Sequence, residues 1–178
     1  MYGALYGMNA RLPNGPGLQI IESVWHLWDA LNIASFSMFG YWDELCPVRV
    51  HGGSDHVLAT AFVLPNQTTF IPIANFAKHP GLPPANITLT IDWAMLGLDP
   101  ANTSLCAPQL LGVQTKLPQE APFGLFADGD TLSIPSGGGL WLVLTTAEHP
   151  IVDDFEIGQP KGECIGQPPP ARLVHAAV

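Results

Sequence analysis

Two places in this chain put carboxyl groups side by side, Asp43-Glu44 and Asp153-Asp154. Paired acids whose environments differ can divide the work of general acid and general base. Asp43-Glu44 follows Trp42 in a linker-like stretch, where a solvated loop is the plainer reading, and Asp153-Asp154 falls in a tail. The histidines offer less. His51 and His56 flank GGSD, His79 and His149 each precede a proline, and no HxH or HxxxH spacing occurs to grip zinc. No serine or cysteine stands in a G-x-S-x-G elbow. The Gly-rich SGGGLW lacks the Lys and the following helix of a phosphate loop. The residue pattern therefore assigns no catalytic residue, no metal site and no cofactor.

Cys46, Cys106 and Cys164 fit no metal-ligand spacing. Two readings stay open for them: buried, idle thiols, or one disulfide between Cys46 and Cys106. Three Asn-x-Ser/Thr sequons, at Asn66, Asn86 and Asn102, are possible glycosylation acceptors and favour a secretory or extracellular parent. Asn66 follows Pro65 between two strand-like runs, where a hairpin tip would expose it. The N-terminal MYGALYGMNARL has no basic start followed by an apolar core, so no signal peptide is expected in this chain.

Charge narrows the partners. Six basic residues against 15 acidic ones give a net charge of -9, and the basic residues are scattered. A phosphate-binding surface needs clustered Lys and Arg, so no nucleic-acid partner is expected. No apolar run reaches the ~20 residues of a membrane span, so no membrane partner is expected either.

The elements that must position any site read as mainly β. Gly and Pro number 18 each in 178 residues, which favours a turn-rich β fold over a bundle. The clearest strand is NITLTIDW, where Ile87, Leu89, Ile91 and Trp93 alternate with Asn86, Thr88, Thr90 and Asp92. Such alternation gives one dry and one wet face. AMLG then reads as one helical turn stopped by Gly97 in a left-handed cap, with Asp99-Pro100 starting a turn. Further strands are expected at 46–51, 57–64, 68–76, 105–113, 131–135 and 139–146. About seven short strands at such spacing indicate an antiparallel sandwich or barrel. Pro72 inside the third run points to an edge strand or a bulge. Gly129 marks a tight turn.

Before these strands, GPGLQIIESVWHLWDALNI reads as a helix with a wide apolar stripe, Ile20, Ile21, Val24, Trp25, Leu27, Trp28 and Leu31, ending near Asn32. The chain thus divides into 1–40 with one strand and one amphipathic helix, 41–146 as the sandwich, and 147–178 as a Pro/Gly-rich tail expected to be poorly ordered.

The stretches HLWDALNI, GYWDELCPV and LTIDWAMLGLD make residues 1–146 resemble the C-terminal end of glycoside-hydrolase-like proteins of the β-N-acetylgalactosaminidase-like family. The resemblance implies a catalytic (β/α)8 barrel followed by a β-sandwich. Residues 1–40 would then be the barrel's last strand and helix, with the rest of that barrel the missing intramolecular partner. The GLPP segment at 81–84 and the Pro-rich tail depart from the family pattern.

In such a protein the paired acids lie in the barrel, ~5–9.5 Å apart, or an Asp-Glu pair steadies the substrate's own acetamide. The resemblance places Asn9 and Arg11 at the barrel mouth, where sites are built, so both are candidates for sugar contact. Trp42 would sit between barrel and sandwich and is a third candidate. Trp93 shares the apolar face of its strand and is expected in the core, whereas the face of Trp141 is open. The implied function is a non-catalytic, structural C-terminal sandwich, with a stand-alone carbohydrate-binding module as the alternative. A binding module would need an exposed aromatic row on one sheet face.

Overall fold

The computed structural model describes residues 18–53, 55–77, 82–108, 110, 123–146, 151–152 and 163–164. The amphipathic stripe forms helix α1, Leu18–Leu31. It stops because Asn32 takes left-handed backbone angles, φ 50° and ψ 51°, which Asn tolerates better than most residues. The Asn32 amide donates to Ser35 Oγ at 2.7 Å, holding the short 3-10 turn Ile33–Ser35 that redirects the chain into the sheets.

Two antiparallel sheets follow. The larger contains β1 (Ser37–Phe39), β3 (Val57–Ala59), β4 (Ala61–Leu64), β5 (Thr68–Asn75), β7 (Thr103–Pro108), β8 (Phe123–Phe126) and β10 (Gly139–Thr146). Its order is β1-β4-β5-β10-β7-β8, with β3 also on β5. The smaller contains β2 (Val48–Gly52), β6 (Ala85–Ile91) and β9 (Leu132–Ile134), with β6 central. Strand β1 lies inside the 1–40 segment, yet it is part of the large sheet. Within 147–178, β11 (Ile151–Val152) pairs with β12 (Glu163–Cys164).

Alternation along the strands of the large sheet feeds two separate apolar clusters. Val63, Ile71, Ile73, Leu105, Leu140, Leu142 and Leu144 face the small sheet and meet Val48, Ile87, Leu89, Ile91, Leu132 and Ile134. The residues between them, Phe62, Phe70, Cys106, Trp141 and Val143, form the opposite face and meet Val24, Leu27 and Leu31 of α1. The layers therefore run helix, large sheet, small sheet. All eight residues of β5 are buried because both of its faces are dry. The outer face of the small sheet is the wet one expected from Asn86, Thr88 and Thr90.

Three expectations need correction. Pro72 does not mark an edge: β5 is flanked by β3 and β4 on one side and β10 on the other. The register runs unbroken past it, with Ala59 opposite Ile73 and Phe62 opposite Phe70. The amide of Thr60 donates to Pro72 O at 3.2 Å, but Pro72 has no N–H to return the bond. One ladder bond is lost, β3 and β4 separate at Thr60, and the strand stays central.

Cys46 and Cys106 do not pair. Cys106 is disulfide-bonded while Cys46 is a buried free thiol. The large sheet lies between them: Cys46 belongs to the core between the sheets and Cys106 to the cluster under α1. The Cys46 thiol donates instead to Val48 O at 3.3 Å.

Trp93 is not the last inward residue of its strand. β6 ends at Ile91, and Trp93 opens the helical turn α2, Trp93–Leu96, as a half-buried residue at the rim of the core. The expected strand at 105–113 starts earlier, at Thr103, and is described as far as Pro108; residues 109 and 111–113 lie outside the described residues. Strand β8, pairing Leu105 with Phe126 and Pro108 with Phe123, had no counterpart in the sequence reading.

Candidate functional site

The residues with chemical potential gather in loops where the two sheets meet. The Gly40–Pro47 loop carries the chain from β1 in the large sheet to β2 in the small one. Pro47 O accepts from the Asp92 amide at 2.8 Å, which fixes this loop to the start of α2. In that loop Trp42 folds back over Gly40, so closely that a Cβ there would meet the indole at 2.5 Å. Tyr41 meets the same indole edge-on, with centroids 4.9 Å apart. Trp42 is nevertheless 59% exposed and Leu45 68%. Leu45 was not singled out from the sequence, although an apolar residue beside two acids in a linker was the available signal.

Asp43 Oδ1 accepts from the Leu45 amide at 2.9 Å, an intraloop turn bond. Glu44 is exposed, and its backbone carbonyl, not its carboxylate, accepts from the Arg49 guanidinium. The pair therefore sits in a solvated turn with one member engaged in shaping it.

Aspartates elsewhere do the same kind of work. Asp92 Oδ1 caps α2 by accepting from Met95 N at 2.9 Å. Gly97, at φ 68°, closes that turn in the left-handed cap. The tip of the β4–β5 hairpin leans on it, with Asn66 N donating to Leu96 O at 3.0 Å. Asp99 Oδ1 and Oδ2 accept from Ala101 N and Asn102 Nδ2 at 2.9 and 2.7 Å. Asp130 Oδ2 accepts from Ala127 N at 2.7 Å in the turn whose corner is Gly129, φ 80°. Trp93 Nε1 donates to Asp128 Oδ2 at 3.3 Å, tying α2 to that turn.

The remaining candidates scatter. His51 and His56 are exposed, and among the described residues no group of three His, Cys, Asp or Glu gathers for a metal. Among the described residues no helix is long and apolar enough to cross a membrane. Trp141 is buried beneath α1, edge-on to Phe70. The sequon residues Asn66, Asn86 and Asn102 are exposed. Asn9, Arg11, His79, His149 and Asp153-Asp154 lie outside the described residues.

Among the described residues the arrangement is a close-packed scaffold in which Asp43, Asp92, Asp99 and Asp130 are committed to turns and the Gly40–Pro47 loop exposes Trp42 and Leu45. The model of the family described as glycoside hydrolase 123, C-terminal domain, matches residues 21–145. No curated protein and no solved structure matches the chain.

Proposed function

The chain belongs to the glycoside hydrolase 123 C-terminal-domain family, and on that footing we propose that it is a structural sandwich beside a catalytic (β/α)8 barrel. It contributes no catalytic group of its own, and the barrel acts on β-linked N-acetylgalactosamine. The observation that carries this is the employment of the acids. Asp43, Asp92, Asp99 and Asp130 each accept backbone N–H groups in turns, and Asp128 holds Trp93. A catalytic acid needs a carboxyl aimed at a bound sugar and a partner set apart from it across the scissile bond. Trp42 and Leu45 supply the exposed apolar contact for the barrel; the assignment of Asn9 and Arg11 to its mouth rests on the family resemblance alone.

The sugar-binding alternative draws on one feature, the exposed Trp42 over Gly40. A flat indole can stack on a sugar ring. An aromatic row on a sheet face would favour it further, but Phe62, Phe70 and Trp141 are buried under α1. The outer face of the small sheet carries Arg49, His51, Thr88, Thr90 and Ser133. The structural reading is therefore preferred.

The test is incubation of the purified chain with an aryl N-acetyl-β-galactosaminide and related hexosides. No turnover is expected. Turnover abolished by Asp43→Asn or Glu44→Gln would overturn the proposal. Calorimetric titration with oligosaccharides, comparing the parent chain with Trp42→Ala, separates the alternative: saturable binding lost in the variant would favour the binding module.

A further inference from the structure

The three sequons differ in what their side chains already do. Asn102 spends its amide on the turn, donating from Nδ2 to Asp99 Oδ2 at 2.7 Å. Asn66 sits at φ 60° with its side chain pressed against Gly97 so closely that a Cβ on Gly97 would collide with its amide oxygen. The sequence favoured Asn66 for its exposed hairpin tip; the geometry favours another site. Asn86 lies in extended β6 opposite Ser133, and its side-chain amide makes no hydrogen bond among the described residues. It is exposed, and its sequon partner Thr88 stands two residues on, on the same face.

That face is the outer surface of the small sheet. Arg49, His51, Thr88, Thr90 and Ser133 share it with Asn86, all of them exposed or half-buried and none apolar. A hydrophilic chain can lie across such a surface without displacing any packed group. A second, independent observation bears on compartment. Cys106, 0% exposed within the cluster under α1, is disulfide-bonded. Disulfides form and persist in oxidising compartments, the same ones in which oligosaccharide is attached to asparagine.

We propose that Asn86 is an N-glycosylation site and that its glycan covers the outer face of the small sheet. The donor class is a polyisoprenyl-pyrophosphate oligosaccharide. The bond from the sugar's anomeric carbon to the pyrophosphate oxygen breaks, and a bond from that carbon to Asn86 Nδ2 forms. Nδ2 gives up one proton, and the polyisoprenyl pyrophosphate departs with the bonding electron pair. Nothing in the sandwich has to move to receive the product.

The experiment expresses the full chain behind a secretion signal in a eukaryotic host and maps peptides after N-glycosidase release in heavy-oxygen water. The peptide containing Asn86 should return as labelled Asp, and Asn86→Gln should lower the intact mass by one glycan. Thr88→Val should behave as Asn86→Gln does, and Thr88→Ser should keep the glycan. Should a variant fail to be secreted, cell-free translation with microsomes reads the same glycan count before folding matters. Recovery of unmodified Asn86 from secreted, disulfide-bonded chain overturns the proposal, as does occupancy of Asn66 or Asn102 with Asn86 bare. Removal of the glycan from the folded chain should leave its denaturation midpoint unshifted. A marked loss would show that the glycan props up the sheet and does not merely lie on it, and would overturn that part.

Discussion

The indole of Trp141 stands edge-on to the ring of Phe70, with centroids 5.5 Å apart and planes at 87°, on the face of the large sheet that α1 covers. The two residues sit on neighbouring central strands, with Val143 of β10 opposite Phe70 of β5. Aromatic pairs in this orientation gain about 0.5–1.5 kcal/mol beyond their burial. The contact exists because the helix keeps water off a sheet face that alternation would otherwise leave wet.

Removing the cover should therefore be costly. Leu27 of α1 is fully buried against this face, so Leu27→Ala should destabilise by about 2–5 kcal/mol, as buried Leu truncations do. Thr90→Ala, on the exposed face of the small sheet, should stay within about 0.5 kcal/mol. Chemical denaturation of the two variants checks this. Equal losses would show that α1 is not integral to the fold.

The cap at α2 gives a second expectation. Asp92→Ala removes the acceptor for Met95 N and should cost about 0.5–2 kcal/mol. Asp92→Asn, an equally good capping residue, should recover nearly all of it. If the Asn variant is as unstable as the Ala variant, the carboxylate serves something other than the cap.

Two left-handed glycines should answer differently to alanine. Both Gly97 (φ 68°) and Gly129 (φ 80°) would strain a side chain, by roughly 1–2 kcal/mol. Around Gly129 nothing lies within 4 Å of the added methyl, whereas at Gly97 it meets the Asn66 side chain. Gly97→Ala should be the more damaging. Adding Asn66→Ala should narrow the gap, and strict additivity of those two changes would refute the contact.

Peptide mapping without reductant should find Cys106 in a disulfide and Cys46 as a thiol that alkylates only after unfolding. Reduction should destabilise the chain by about 2–4 kcal/mol. Rapid alkylation of Cys46 in the native chain would contradict its burial between the sheets.

Much of the architecture is legible residue by residue. The alternation of Ile87, Leu89 and Ile91 with Asn86, Thr88 and Thr90 gives the strand, its dry face and its wet face, because a side-chain period of two is a local property. Gly97, Asp99 and Gly129 likewise announce a stop and two turns, since each acts on backbone groups a few residues away. Candidate sites were harder to read. Asp43-Glu44 shows two acids in sequence, but only the bond from the Leu45 amide reveals that Asp43 shapes its own loop.

Partnership across the sheets is what local pattern cannot carry. Strand β10, GLWLVLTT, reads as nearly continuous apolar residues, and nothing in it says that Leu142 looks toward the small sheet while Trp141 looks toward α1. Pro72 signals an edge because it lacks an N–H. The sheet keeps it central because that missing donor costs a single bond beside Thr60, and β5 is buried on both sides. Cys46 and Cys106 could pair as far as spacing goes, and they fail because a sheet is interposed between them. The sequence by itself determined most of the strands, the helix and the turns between them. The tertiary structure decided which face each strand shows to which layer, because that choice depends on surfaces brought together from distant parts of the chain.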